Sequence, residues 1–143
     1  MNALLALVCG ALIALQAATN AVLFRSLENV VWSAAVLLAV GLCVLLLAAA
    51  ATGAVPPAAA QFKAAPAWAY TGGIVVATYV VVITFLVPKI GVGNAVVLIV
   101  AGQIMAAVLF DHFGLFGVEQ KLMDIKRAAG IVLLTAGVYL ART

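Results

Sequence analysis

The amino-acid sequence predicts an all-α membrane protein with five transmembrane helices, paired with an inverted copy of itself as an antiparallel dimer of ten helices. Three observations predict it. The 143 residues are 69% hydrophobic and only 8% charged, with a mean hydropathy of +1.36. Soluble domains run near half apolar and about a quarter charged, so lipid must be the solvent for this chain. The apolar residues also fall in long uniform runs, which suits helices and not the ten-residue alternation of membrane barrel strands. Finally, Lys and Arg divide almost evenly between the two membrane faces, so that charge imposes no orientation.

A helical span needs about 17 to 25 mostly apolar residues. Residues 3–24, 30–52, 67–87 and 92–110 meet that length. Residues 128–140, AAGIVLLTAGVYL, form a shorter run. Arg127 and Arg142 flank it, and snorkelling arginines let a short helix span at modest cost. Five spans is the preferred reading and four plus an interfacial helix the alternative, in one transmembrane domain over residues 1–143. The first run lacks the basic start of a signal peptide and exceeds its usual apolar length, so it is expected to be a retained helix. Cys9 and Cys43 fall in the first two spans, where packed, reduced thiols are expected. Neither has a His or second Cys at ligand spacing, so no metal or other cofactor is expected.

The connections set the topology. RSLEN (25–29) and PKIG (88–91) read as tight turns on one face. GAVPPAAAQFKAAP (53–66) and DHFGLFGVEQKLMDIKR (111–127) read as longer loops on the other. Pro56, Pro57 and Pro66 stop helix propagation. Trp32, Trp68 and Tyr70 lie near span ends, where interfacial aromatics belong. One face then holds Lys63, Lys121, Lys126 and Arg127, and the other Arg25, Lys89 and Arg142. Four against three leaves both orientations open, and oppositely inserted copies can pair. Small residues at helical spacing mark close packing in lipid. Gly10, Ala14 and Ala18 form one such ridge and Gly102 with Ala106 another. Gly130 and Gly137, seven apart on the last helix, are the expected dimer contact.

Chemistry-bearing constellations are scarce. There is one His, no embedded carboxylate pair, no phosphate-binding glycine loop and no nucleophile elbow. Nucleic acid has no basic soluble surface to meet. What remains is a set of polar groups inside apolar helices. Gln16 and Asn20 are four apart and Thr19 is three from Gln16, which predicts one shared face. Asn94 and Gln103 lie in the fourth run, and Thr78, Tyr79 and Thr84 in the third. Such groups either join helices by hydrogen bonds or line a polar cavity as transporters do. Gln16, Thr19, Asn20, Tyr79, Asn94 and Gln103 are the candidate solute contacts. Asp111 and His112, where the fourth run meets water, are the candidate proton-responsive gate. Lys89, after Pro88, reads as a snorkelling anchor.

Gln16 and Asn20, then VPKIG (87–91), AGQ (101–103), DHFG (111–114) and a glycine-rich last helix resemble the YdcZ-type family. That family is the five-helix branch of the drug/metabolite transporter superfamily, and the likeness covers nearly the whole chain. It implies a bacterial inner-membrane protein, a dual-topology homodimer or one of an oppositely oriented pair. A more distant resemblance is to the small multidrug resistance transporters. GIVLLTAGV (130–138) is similar to their dimerising helix and GVG (91–93) to their bending helix. Those relatives keep a proton-exchanging glutamate at the position that Gln16 matches in this chain. A carboxamide releases no proton, which argues against proton/cation exchange by that route. The expected function is alternating-access transport of a small solute. The alternative is an accessory membrane subunit that works only with a sibling chain. A channel ranks below both, and an enzyme last.

Overall fold

The computed structural model describes residues 1–117 and 119–141. Arg142, used in the charge count above, lies outside them. The described residues contain helices and connecting turns and no strand. Helix α1 spans Asn2–Leu27, α2 Val30–Thr52, α3 Ala59–Ala64, α4 Thr71–Ile90, α5 Val92–Phe113 and α6 Ile125–Ala141. A 3₁₀ turn, Ala67–Tyr70, leads into α4. Four helical stretches among the described residues are long and apolar enough to cross a membrane: Asn2–Leu27, Val30–Thr52, Ala67–Ile90 and Val92–Phe113. Helix α6 has 17 residues, which at 1.5 Å per residue is roughly 25 Å, slightly less than the hydrocarbon core.

Several helices run past the boundaries that apolarity sets. α1 continues through Arg25 to Leu27, which shrinks the expected RSLEN turn to Glu28 and Asn29. Glu28 takes a left-handed conformation (φ 51°), and its N–H donates to the Phe24 carbonyl at 2.8 Å. Asn29 then caps α2: its Oδ1 accepts from the N–H groups of Val31 and Trp32, both at 3.1 Å. Such a cap satisfies amides that a helix start otherwise leaves bare. At the far end Gly53 (φ 66°) closes α2, with Ala54 N–H donating to the Ala49 carbonyl at 2.9 Å. That is the six-to-one bond of a Schellman ending. The expected PKIG turn is likewise shorter. α4 passes through Pro88 to Ile90, and Gly91 alone (φ 82°) makes the turn into α5. Proline in a last turn removes only one helical bond, so the helix tolerates it there.

The chain divides into two compact units, Met1–Lys89 and Ile90–Thr143. In the first, α1 packs against α2. Its core residues are Ala17, Ala21, Ala34, Val80, Ile83 and Val87. On α4 the buried positions 80, 83, 84 and 87 follow helical spacing and define one inward stripe. The loop between α2 and α4 is structured: the Tyr70 hydroxyl donates to the Phe62 carbonyl at 2.7 Å, tying α3 to the 3₁₀ turn. In the second unit α5 packs against α6. Cys9 and Cys43 are free and exposed on their helices, not packed as expected. A thiol is apolar enough to face lipid without cost in hydrogen bonds.

Candidate functional site

The polar residues of α1 do not share one environment. Successive helical residues turn about 100°, so Thr19 and Asn20 diverge from Gln16 by about 60° and 40° in opposite directions. The buried face of α1 is centred on Ala17, Asn20 and Ala21. Asn20 therefore points inward at 3% exposure, Gln16 sits half-buried on the rim, and Thr19 is exposed. The Thr19 hydroxyl donates to the Gln16 carbonyl at 3.0 Å, a bond within its own helix turn. The Asn20 amide nitrogen is buried with no hydrogen-bond partner. An unmade hydrogen bond at a buried donor costs about 1–3 kcal/mol, so this amide is not helix glue within the chain.

The same rotation explains α4. Thr78 faces away from the buried stripe and is exposed, its hydroxyl donating to the Ile74 carbonyl at 2.9 Å. Tyr79 is half-buried at the edge of the stripe. Thr84 lies at its centre with 0% exposure, and its hydroxyl has no partner. Ser33 on α2 is the remaining buried polar residue of the first unit, and its hydroxyl is satisfied by the Asn29 carbonyl at 2.8 Å. Lys89 lies over the Phe85 ring, 3.5 Å from its centroid. A cation held on an aromatic face fits the anchoring role expected of it.

The second unit uses its polar groups differently. The Asn94 amide donates to the Ile90 carbonyl at 3.0 Å, bracing the start of α5 beside Gly91. Gln103 is exposed. Asp111 and His112 occupy the last turn of α5 and hold the segment that follows. Lys121 N–H donates to the Asp111 carbonyl at 2.8 Å, and the Gln120 side chain donates to the His112 carbonyl at 2.9 Å. Met123 N–H donates to His112 Nδ1 at 3.0 Å. A ring nitrogen that accepts is unprotonated, so a doubly protonated His112 cannot keep this bond. Arg127 reaches Asp111 at 3.4 Å, a partly exposed pair. Asp124 caps α6, its Oδ1 accepting from Arg127 N–H at 2.7 Å.

Gly130 and Gly137 are exposed on α6, and a Cβ added at either meets nothing within 4 Å. The same holds at Gly10 and Gly102. None of these glycines is needed for close approach inside the chain. Gly137 borders an apolar cavity of about 320 Å³ between α5 and α6, with Val97, Val100 and Leu134.

Over residues 1–140 the chain matches the family described as "Putative inner membrane exporter, YdcZ". The chain belongs to the YdcZ family. It is a multi-pass protein of the bacterial inner membrane, and the family description is that of an exporter, not of an enzyme. No curated protein and no solved structure matches the chain. Within this YdcZ-family chain, sequence reasoning singled out Asn20 and the Asp111–His112 corner but missed the corner's four partners. Arg127, Gln120, Lys121 and Met123 bind it across a loop, and three of the donors reach main-chain or ring atoms that no spacing rule reveals. Thr84 had a signal: it precedes Pro88 by one helical turn.

Proposed function

We propose that this YdcZ-family chain carries a compact neutral or zwitterionic solute out across the inner membrane, by alternating access in an antiparallel homodimer. The observation that carries the reading is Asn20, a carboxamide buried at 3% exposure whose Nδ2 has no partner. In lipid every polar group left unmatched is costly, and such groups mark solute paths. Gln16 stands on the rim of the same face, and Thr19 steadies the turn between them through its bond to the Gln16 carbonyl. Two amides offer hydrogen bonds and no charge, which suits a solute without net charge and gives proton exchange no acid at Gln16. Tyr79 is the α4 candidate for the path, and Asn94 and Gln103 are the α5 candidates. The Asp111–His112 corner is the proposed gate, since its bonds to the 120–127 segment tie the end of α5 to the start of α6. The open glycine face of α6 at Gly130 and Gly137 is the proposed contact with the second copy, and the four-to-three charge balance supports opposite insertion.

A thermal-shift screen of metabolites and cations on the detergent-purified protein identifies the solute by ligand stabilisation. Reconstituted protein should then show saturable flux of that solute, which Gln16→Ala and Asn20→Ala sharply lower. Undiminished flux in both variants removes the site, non-saturable flux indicates a channel, and no flux without a sibling chain supports the accessory role. Adding three lysines to one face locks the orientation. Retained function and assembly of that variant alone rules out antiparallel pairing.

A further inference from the structure

The Thr84 hydroxyl differs from every other Ser and Thr hydroxyl among the described residues. The seven other Ser and Thr side chains with hydroxyls each donate to a main-chain carbonyl three or four residues back, at 2.7 to 3.2 Å. That bond is the cheapest one within a helix and is within reach of any helical threonine. Thr84 makes none, although it is fully buried. Its main-chain carbonyl is also unusual, because the residue one turn on is Pro88, inside α4, which has no N–H to return. One buried residue thus presents a hydroxyl without a partner and a carbonyl without its regular helical donor. Fourteen residues into a 20-residue membrane helix, both are costly unless something else meets them.

We propose that Thr84 is a further solute-contacting residue, accepting a hydrogen bond from a hydroxyl or ammonium group of the solute at its Oγ1 and at the carbonyl that Pro88 releases. The inference rests on the transport reading above and sharpens its substrate class. Asn20 Nδ2 only donates, whereas Thr84 offers acceptors. A path built of both selects a solute that carries an acceptor and a donor, such as a hydroxy or amino compound. It disfavours a lipophilic quaternary cation, which has neither the acceptor nor the donor to match.

The test uses the full chain in liposomes, with Cys9→Ala and Cys43→Ala as background and 2-(trimethylammonium)ethyl methanethiosulfonate as the probe. Thr84→Cys, Asn20→Cys and the lipid-facing control Leu46→Cys are read by intact mass. Opening of the path exposes its walls to water, so the thiols at positions 84 and 20 should be modified to completion and that at 46 left untouched. Modification at 20 but not at 84 overturns this inference and leaves the transport site standing. Modification at 84 but not at 20 keeps Thr84 on the path and removes Asn20. Modification at neither overturns both. Independently, Thr84→Val, which keeps the shape and removes the unmatched hydroxyl, should raise the melting temperature of the solute-free protein. A lower melting temperature for Thr84→Val shows a hydroxyl that already has a structural partner, and overturns the proposal.

Discussion

The two units of the chain use their polar side chains differently. In Met1–Lys89 two buried polar atoms, Asn20 Nδ2 and Thr84 Oγ1, have no partner, while buried Ser33 is paired with the Asn29 carbonyl. In Ile90–Thr143 the polar side chains at the ends of α5 are engaged: Asn94 with Ile90, Asp111 with Arg127, and His112 with Met123. Polar side chains in lipid-spanning helices thus serve two purposes, and hydrogen bonding separates them. Engaged groups fix turns and helix ends. Unengaged ones carry a cost that only a ligand or a partner can offset.

The contrast predicts its largest effect at Asn20. Asn20→Ala should lower solute flux by about tenfold or more, the rate equivalent of about one lost buried hydrogen bond, with no loss of folded protein. Flux at the level of the unaltered chain would erase the distinction between the units. The next effect concerns assembly. Gly130→Leu with Gly137→Leu should abolish the proposed dimer, measured as mass by light scattering in detergent, while the helical circular dichroism stays unchanged. The open space at both positions means that the added side chains strain nothing inside the chain. A dimer of unaltered mass would move the interface elsewhere.

Engaged groups should act on stability and not on flux. Asn29→Ala removes the cap of α2 and should cost about 1 kcal/mol in denaturant unfolding, leaving transport at its original rate. The smallest effect is expected at the proposed gate. Arg127 and Asp111 are 31% and 38% exposed, and exposed pairs contribute at most about 1 kcal/mol. Arg127→Gln should therefore shift stability by less than Asn29→Ala. A larger loss would show that the corner between α5 and α6 is a structural clasp.

The helices were legible in the sequence because lipid imposes a simple rule on long apolar runs. Their ends were not, because a helix stops where its caps are and not where the hydrocarbon ends. Arg25–Leu27 and Pro88–Ile90 continue their helices, and Asp111–Phe113 complete α5. The polar face of α1 was half legible. Spacing put Gln16, Thr19 and Asn20 together, but they straddle the edge of the buried face, which turns Thr19 outward and Asn20 inward. The clasp at Asp111 and His112 was illegible, since Lys121 and Met123 bind through main-chain N–H groups that every residue but proline carries. Thr84 was visible as a polar residue near a proline, but its isolation shows only when every other described Ser and Thr hydroxyl is seen to be paired.

The central claim, that Asn20 is kept for a ligand and not for the fold, is tested most directly by the melting temperature of solute-free Asn20→Leu in detergent. Leucine fills the same space and brings no unmatched donor. The account predicts a melting temperature equal to or above that of the unaltered protein. A clear fall would show that the Asn20 amide already has a partner in the assembled protein, and would contradict the account.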